Sequence, residues 1–195
     1  MSDLGNPYYD IEQYERVMLK PEQMNSDILL NLKINLREKV EHKCNKNGYI
    51  DQVYKILQYK DGLLTAENLS GGAVYPVKYH CRIYAPLENT KIVGEVTLIN
   101  RDLIVAINGP IRIFILRNEI NSSVFDVVND YQLKDKKGKL NLNDKVVITI
   151  KNRRINPGDK TIKCMGYLCD IANESQIKKY YNVESEDNTP DNFIM

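Results

Sequence analysis

The chain has 195 residues, of which 43% are hydrophobic and 27% are charged, and its formal net charge is +1 at pH 7. This composition is typical of a folded globular protein and excludes a chain that is disordered throughout. No apolar run approaches the roughly 20 residues that a membrane-spanning helix needs, so we expect an intracellular protein with no membrane partner.

The small net charge hides an uneven distribution along the sequence. Residues 1–86 carry 11 basic and 11 acidic groups, residues 87–181 carry 16 and 11, and residues 182–195 carry four acidic groups and no basic one. A basic half predicts a polyanionic partner, although solvated lysines on a stable surface explain the same numbers. The acidic tail, residues 182–195, also contains proline and is predicted to be disordered.

Residues that usually perform catalysis or bind metals are sparse. The four cysteines form no CxxC pair and no cluster at zinc spacing, which favours reduced, buried thiols. His42 and His80 each lack a partner at ligand spacing, and no HExxH, GxSxG, GxGxxG or GxxxxGK[ST] motif occurs. The sequence therefore predicts a binding protein with no catalytic residue, metal or cofactor. Carboxylates such as Asp102 and Asp126 meeting around Mg²⁺ are the less favoured alternative.

The N-terminal part of the chain predicts a strand followed by a helix. Tyr14–Leu19 is rich in strand-forming residues and is bounded by a proline, so it reads as a strand. Asn25 or Ser26 is a suitable N-cap for an amphipathic helix that extends from Ser26 to about Lys43. Its apolar residues recur at spacings of three and four, so one face needs a sheet to lie on.

Three strand-like segments that follow can supply this sheet. Tyr49–Tyr59 and Leu63–Leu69 read as strands, and Lys60-Asp61-Gly62 between them predicts a hairpin. Val77–Ile83 alternates apolar and polar residues, which predicts a strand with one buried and one wet face. One helix on antiparallel strands is an α+β arrangement.

The second half of the chain predicts a barrel. Pro86 cannot donate to a strand ladder, so pairing should lapse there, and we place a domain boundary at this residue. Gly94 and Gly166 fall inside predicted strands, where a barrel bends or another backbone approaches. The five strand candidates, which suit an OB fold, are Ile92–Ile99, Leu103–Ile107, Ile111–Leu116, Lys145–Ile155 and Thr161–Ile171. The predicted fold class is α+β, mainly β, with an N-terminal domain at 1–86, an OB barrel at 87–181 and the acidic tail.

Several short segments, in this order, resemble one protein family. Lys20-Pro21, Gly48-Tyr49-Ile50 and Val77-Lys78-Tyr79, followed by a proline and a glycine-valine strand start, resemble the stalk subunits of RNA polymerases. The family comprises subunit seven of eukaryotic RNA polymerase II and its archaeal counterpart. The many Asn, Ile and Lys residues suit an AT-rich genome, such as that of a protist or a large DNA virus.

The resemblance implies a non-catalytic subunit of a DNA-directed RNA polymerase, with an RNP-like N-terminal domain followed by an OB-fold barrel. Its partners would be the large core subunits of the polymerase, nascent single-stranded RNA and a small helical partner like subunit four, which reduced viral polymerases can lack. It would work in the virion and host cytoplasm if viral, and in the nucleus if cellular. The tip loop that docks on the polymerase would be Asn45, Lys46, Asn47, Gly48 and Tyr49.

An OB barrel of this kind binds single strands through cations that follow the phosphates and aromatic rings that stack on bases. Arg153 and Arg154 are the favoured pair, because at least one must leave the core face. In the alternative interpretation, Phe114 is a core residue and the cations are a solvated rim. The cationic candidates are Arg112, Arg117, Lys151, Arg153, Arg154 and Lys163, together with Lys134 to Lys139 on the long connection, and the stacking candidates are Phe114 and Tyr167.

A second function from another class fits the same sequence. A free-standing OB-fold RNA-binding protein, acting in translation initiation or RNA decay, would carry the same barrel behind an added N-terminal domain. The two hypotheses differ in their partners, because a stalk subunit co-purifies with large polymerase subunits. The alternative would co-purify with ribosomes or a nuclease assembly.

Overall fold

A computed structural model of the chain describes residues 4–64, 71–126, 131–133, 139–178 and 180. These residues form two compact units. The sheet unit comprises Tyr8–Ala85 and Ile155–Ile162; the barrel unit comprises Pro86–Arg154, the residues before Tyr8 and those from Lys163 onward. The predicted α+β, mainly β, fold class is confirmed. Among the described residues, no helix combines the length and the apolar character that crossing a membrane requires.

The sheet unit is organised around one central strand, β5. β1 pairs with it antiparallel over its whole length, from Tyr8 opposite Tyr84 to Leu19 opposite Ala73. The other edge of β5 pairs with β3 and β4, and β2 extends the sheet beyond β3. The strands are β1 (Tyr8–Leu19), β2 (Lys43–Cys44), β3 (Tyr49–Tyr59), β4 (Leu63–Leu64) and β5 (Ala73–Tyr84).

The predicted hairpin at Lys60-Asp61-Gly62 is wrong. Because β1 occupies one edge of β5 completely, β3 and β4 share the opposite edge and lie end to end along it. The Lys60 N–H continues this ladder by donating to the carbonyl of Pro76 at 3.0 Å. A Cβ at Gly62 would lie 2.5 Å from the ring of Tyr75, so the glycine lets the chain pass over that ring. The segment therefore separates β3 from β4, which both pair with the same edge of β5.

β5 buries one face as its alternation predicts. Val77, Tyr79 and Cys81 are at most 1% exposed and lie in the core of the unit. The opposite face is drier than predicted, since Arg82 is only 6% exposed. Its guanidinium lies 4.7 Å from the ring centroid of Tyr8, and neighbouring tyrosine rings shield it from water. On part of the face that was predicted to be exposed to solvent, tyrosine rings therefore contact the side chain of Arg82 in place of water.

The single helix of this unit, α1 (Ile28–Val40), is shorter than predicted at both ends. Asp27 is its N-cap residue, without a side-chain cap bond. His42 ends the helical path because it adopts a left-handed backbone, with φ 60°, and donates its N–H to the carbonyl of Ile50. The chain thereby turns directly into β2. The buried stripe of α1 consists of Leu32, Leu36 and Val40.

Side chains of α1 also bind the backbone of the strands beneath it. Glu41, the residue after the helix, accepts a hydrogen bond from the N–H of Val53 on β3, and Arg37 donates to the Val53 carbonyl at 3.1 Å. On the other side, Lys39 donates to the carbonyl of Arg16 on β1 at 2.6 Å. The helix therefore satisfies backbone groups that the outer edges of the sheet would otherwise offer to solvent.

The barrel unit contains the predicted five-stranded closed barrel. Its strands follow the order β11-β12-β8-β7-β6 around the barrel. Isoleucines fill the interior, and Ile111, Ile113 and Ile115 are fully buried. A Cβ at Gly166 would lie 2.6 Å from methyl groups of Ile113 and Ile148, so this strand residue must be glycine. The strands are β6 (Lys91–Ile99), β7 (Leu103–Asn108), β8 (Ile111–Leu116), β11 (Lys145–Arg154) and β12 (Ile162–Ile171).

The connection between β8 and β11 contains two short strands. Its strands β9 (Phe125–Asp126) and β10 (Gln132–Leu133) pair antiparallel, and Phe125 is fully buried. Lys139 is exposed, whereas the other lysines predicted to bind RNA between Lys134 and Lys139 lie outside the described residues. The connection thus contributes Phe125 to the buried residues of the barrel unit.

A helical segment that was not predicted follows β12. Residues 174–178 and 180 are helical. Tyr180, only 3% exposed, packs with Val93, Val147 and Ala172 on the outside of β6 and β11. The acidic tail lies outside the described residues, so its predicted disorder stays a prediction.

Candidate RNA-binding surface and docking ends

The eight residues predicted to bind RNA lie on three neighbouring strands of the barrel or directly beside them. β12 lies between β11 and β8, so the outward side chains of the three strands form one continuous surface, which we call the basic face. Alternation along each strand turns these side chains away from the isoleucine interior, except that of Arg153, which lies opposite the buried Cys164. β8 contributes Arg112 and Phe114, with Arg117 in the turn that follows; β11 contributes Lys151, Arg153 and Arg154; β12 contributes Lys163 and Tyr167.

Lys151 and Tyr167 form the centre of this face. Tyr167 lies opposite Thr149 in the β11–β12 ladder, and the Nζ of Lys151 is 5.4 Å from the centroid of its ring. Glu119 approaches the same Nζ at 3.5 Å through an ion pair between two partly exposed side chains. Exposed pairs of this kind contribute about 0–1 kcal/mol, so a phosphate can displace the carboxylate at small cost.

β8 contributes an exposed arginine to the basic face. Arg112 is exposed and forms no ion pair within the described part of the chain. Phe114 is half-buried on the same side of the strand, opposite Val105 of β7, and does not enter the barrel interior. The alternative that Phe114 is a core residue therefore does not hold, because the interior positions belong to its neighbours in the strand.

The two terminal arginines of β11 have different roles. Both are exposed, but the guanidinium of Arg153 donates to the carbonyl of Pro86 at 3.0 Å. This contact ties the end of β11 to the segment that enters the barrel unit. Arg153 also lies opposite Cys164, and burial raises the pKa of that thiol to about 12 although the arginine opposes the shift. The side chain of Arg153 is therefore partly occupied by a backbone contact.

The sequence reading missed an apolar stripe that borders the basic face. Leu98, Val105 and Phe114 lie side by side across β6, β7 and β8, and Leu116 lies opposite Leu103. Leu98 and Leu116 are 42% and 40% exposed. The signal was present in the sequence LIVAIN of β7, which is apolar on both faces, whereas a barrel strand needs only one apolar face.

The predicted docking loop is a rigid turn at one end of the sheet. The Oδ1 of Asn45 accepts hydrogen bonds from the N–H groups of Asn47 and Gly48, and its Nδ2 donates to Gln13. A Cβ at Gly48 would lie 2.4 Å from the carbonyl oxygen of Tyr84, so Gly48 is a structural residue. Of the five predicted docking residues, the exposed ones are Lys46 and Asn47, while Asn45 and Tyr49 are half-buried.

Exposed apolar side chains gather at the opposite end of the same sheet. Met18 lies opposite Val74 on β5, and Leu63 of β4 lies opposite the same valine on the other side. Met18 and Leu63 are 50% and 62% exposed, and Leu64 is 73% exposed. Apolar side chains that lie together on a surface are the usual mark of a protein contact. No residue of this group was predicted to take part in docking.

Potential metal ligands are dispersed. Within the residues that the structure describes, no three His, Cys, Asp or Glu side chains come close enough to hold a metal ion. Burial raises the pKa of the thiols of Cys44 and Cys81 to about 11 each, so both stay protonated near neutral pH.

A helix-covered antiparallel sheet joined in one chain to a closed five-stranded barrel defines a two-domain protein of the RNP-like and OB-fold class. No protein-family model matches the chain. A protein of Acanthamoeba polyphaga mimivirus, provisionally named as a DNA-directed RNA polymerase subunit, is 33% identical over 176 residues, which cover 90% of this chain and 88% of the relative.

Plant proteins show a more distant similarity over almost the same span. The RNA polymerase II subunit RPB7 of Glycine max is 24% identical over 168 residues, which cover 84% of this chain and 93% of its own length. Subunit 7 of RNA polymerase II from Arabidopsis thaliana is 25% identical over 167 residues, with the same coverage. The chain therefore belongs to the RPB7-like family of RNA polymerase stalk subunits.

Proposed function

We propose that this chain is a non-catalytic stalk subunit that docks on the core of a DNA-directed RNA polymerase and holds emerging RNA on the basic face. The observation that supports the RNA contact is the grouping of six cations and two aromatic rings on or directly beside three adjacent strands. Phosphodiester synthesis would belong to other chains of the complex. The contact would be directed at phosphates and stacked bases, with little preference for sequence.

The charge of the basic face implies modest affinity. For single strands, the logarithm of the binding constant falls with the logarithm of salt by about 0.7 per neutralised phosphate. Arg153 is already bonded to the Pro86 carbonyl and Lys151 to Glu119, so fewer cations than the full set are free to bind phosphate. We expect micromolar affinity that weakens steeply with salt.

The test compares arginines on and off the basic face. Arg112→Ala should weaken binding of a single-stranded oligouridylate and reduce the salt slope by about 0.7, because one phosphate contact is lost. Arg16→Ala is the matched control, since Arg16 is exposed on β1 of the sheet unit. Equal effects of the two changes, or binding that ignores salt, would remove the RNA role and leave a protein-docking module.

Docking is proposed to use the ends of the sheet unit, and the two ends can be tested separately. Lys46→Glu with Asn47→Asp changes the exposed part of the predicted tip loop without touching its internal bonds. Leu63→Asp with Leu64→Asp changes the apolar end. Gly48 is left intact, because a side chain there would collide with Tyr84. Each variant, checked for retained fold by circular dichroism, is tagged and assayed for co-purification with large polymerase subunits.

The same purification addresses the remaining partners. We expect large polymerase subunits at equal stoichiometry, and a small helical protein if a subunit-four-like partner exists. Recovery with ribosomes or a nuclease assembly would instead favour the free-standing RNA-binding protein. A viral member would be found in virions and host cytoplasm, and a cellular one in the nucleus.

A further inference from the structure

The helical segment after β12 is held on the barrel at Tyr180, two residues before the acidic tail begins in the sequence. The hydroxyl of Tyr180 accepts a hydrogen bond from the Nδ2 of Asn108 at 2.9 Å, and the same Nδ2 donates to the carbonyl of Val93 at 2.7 Å. All three residues are at most 6% exposed. A buried hydrogen-bonded anchor of this kind determines where the following residues leave the protein.

The anchor lies next to the basic face. Asn108 is the last residue of β7 and pairs with Ile111, the first residue of β8. The next outward side chain on β8 is Arg112, the exposed arginine that lacks an ion pair within the described residues. Tyr180, two residues before the acidic tail in the sequence, is therefore bonded to the end of β7 that pairs with the start of β8.

The acidic tail matches this face in charge and reach. Its four acidic residues are accompanied by no lysine or arginine. An extended chain spans about 3.3–3.6 Å per residue, so Glu184 can reach about 13 Å from Tyr180 and the last carboxylates can reach about 35 Å. β8, with six residues, is about 20 Å long, so the tail can reach along the whole of this strand. The carboxylates belong to Glu184, Glu186, Asp187 and Asp191.

We propose that in the free protein the acidic tail occupies the basic face, where its carboxylates take the positions of RNA phosphates. The inference rests on the proposed function, because the tail regulates the same surface. Tethering at Tyr180 gives the tail an effective concentration on the order of millimolar, so weak contacts suffice to populate the bound form. RNA, which has more charges and can stack, displaces the tail. The tail thereby excludes short or weakly held polyanions.

The experiment uses the full chain with neutral side chains at the four acidic positions: Glu184→Gln, Glu186→Gln, Asp187→Asn and Asp191→Asn. A control variant makes the same charge change on exposed residues of the sheet unit: Glu22→Gln, Asp27→Asn, Glu38→Gln and Asp61→Asn. Without RNA, the Nε–Hε signal of Arg112 and amide signals of β8 and β12 should move in the tail variant and stay in place in the control. Affinity for a 12-nucleotide oligouridylate should rise about 3- to 10-fold at about 50 mM salt and less than about 2-fold at about 500 mM.

The outcomes separate this inference from the proposed function. Unmoved signals in the tail variant overturn the inference, even if both proteins bind RNA. Moved signals without RNA binding by any variant support the tail contact and refute the RNA role of the face. Shifts that grow with protein concentration assign the contact to a second copy of the chain and overturn the intramolecular arrangement. An equal gain in RNA affinity by the control variant would show that the total charge of the protein, and no contact of the tail with the basic face, changes the affinity. That result would also overturn the inference.

Discussion

Glu41 accepts a hydrogen bond from the backbone N–H of Val53 at 2.6 Å, and this contact substitutes for a neighbouring strand. β2 covers β3 only at Tyr49 and Ile50. Val53 lies further along β3, where both of its outward backbone groups are bound by side chains at the end of α1. The helix therefore protects the edge of the sheet as well as its apolar face.

Removal of this contact should destabilise the sheet unit. We expect Glu41→Ala to lower the free energy of unfolding by about 1–3 kcal/mol, because it leaves the buried N–H of Val53 without an acceptor. Urea unfolding measures the change. Glu38→Ala, an exposed position on the same helix, serves as the control and should cost less than about 0.5 kcal/mol. Similar losses in both variants would show that the contact contributes nothing specific.

The barrel should be intolerant of a methyl group at position 166. Gly166→Ala forces a Cβ to within 2.6 Å of methyl groups from two strands, and overpacking of this kind costs about 1–3 kcal/mol. Gly5→Ala is the comparison, since the nearest atom to its new Cβ is 3.6 Å away on Thr90. Thermal unfolding of both variants gives the result. A Gly166→Ala protein as stable as the Gly5→Ala protein would contradict the barrel packing.

Asp51 should reduce stability at neutral pH. Burial is the main cause that raises its pKa, and Glu41 adds to the effect, while Arg82 and His42 oppose it. Since the folded-state pKa lies above the unfolded one, the protonated form is favoured in the folded state. Its stabilising contribution is complete below the unfolded pKa and is lost as pH rises through the folded pKa.

Asp51→Asn should therefore raise the urea midpoint at about pH 7 and change it little at about pH 3, below the ordinary pKa of aspartate. The exposed Asp61→Asn is the control for the loss of one charge. A gain that is the same at both pH values would assign the effect to something other than ionisation of Asp51.

The thiols should react in an order set by burial. Cys44, Cys81 and Cys164 are buried, and their pKa values are raised to about 11, 11 and 12, whereas Cys169 is half-buried. Alkylation of the native protein at about pH 8, near the pKa of a free thiol, should modify Cys169 first. Mass spectrometry of timed samples gives the order. Modification of Cys164 at the same rate would indicate frequent opening of the barrel.

The barrel unit is expected to fold without the sheet unit. All five barrel strands lie within residues 87–181, so a fragment of these residues should give a dispersed amide spectrum. It lacks Leu4, which packs beside Tyr180, so it should be less stable than the barrel unit in the full chain. Signals of Gly158 and Asp159 should move, because their backbone bonds to Cys44 are lost. A collapsed spectrum would refute a separable barrel.

Alternation and turn signals predicted the strands better than they predicted strand partners. The residues of β3 were predicted with their observed bounds because they have strong strand propensity. The Lys60-Asp61-Gly62 segment also has ordinary turn composition, yet β1 already fills one edge of β5, and this long-range pairing is invisible in a local window. The helical segment that includes Tyr180 was missed for a similar reason, because contacts with Val93 and Val147 stabilise it.

For the candidate site too, local sequence patterns predicted which side chains point outward, but they did not predict which of them lie together. Outward positions for Arg112 and Lys163 follow from strand alternation alone, so the cations of the basic face could be selected from the sequence. Their grouping depends on β12 lying beside β8, which barrel closure determines. The contact between Arg153 and Pro86 joins residues far apart in sequence, so no local pattern could indicate that this arginine is partly occupied.

The central position of β5 has a consequence for synthesis of the chain. β1 is synthesised before β5, but each of its residues pairs with β5. Tyr8 therefore cannot pair until the ribosome has added Tyr84. At about 5–20 residues per second, this wait lasts roughly 4 to 15 seconds on the ribosome, whereas a helix such as α1 can form within about a microsecond. The amphipathic strand β1 therefore stays unpaired through most of translation of the sheet unit, which makes it the first segment that a ribosome-associated chaperone would meet.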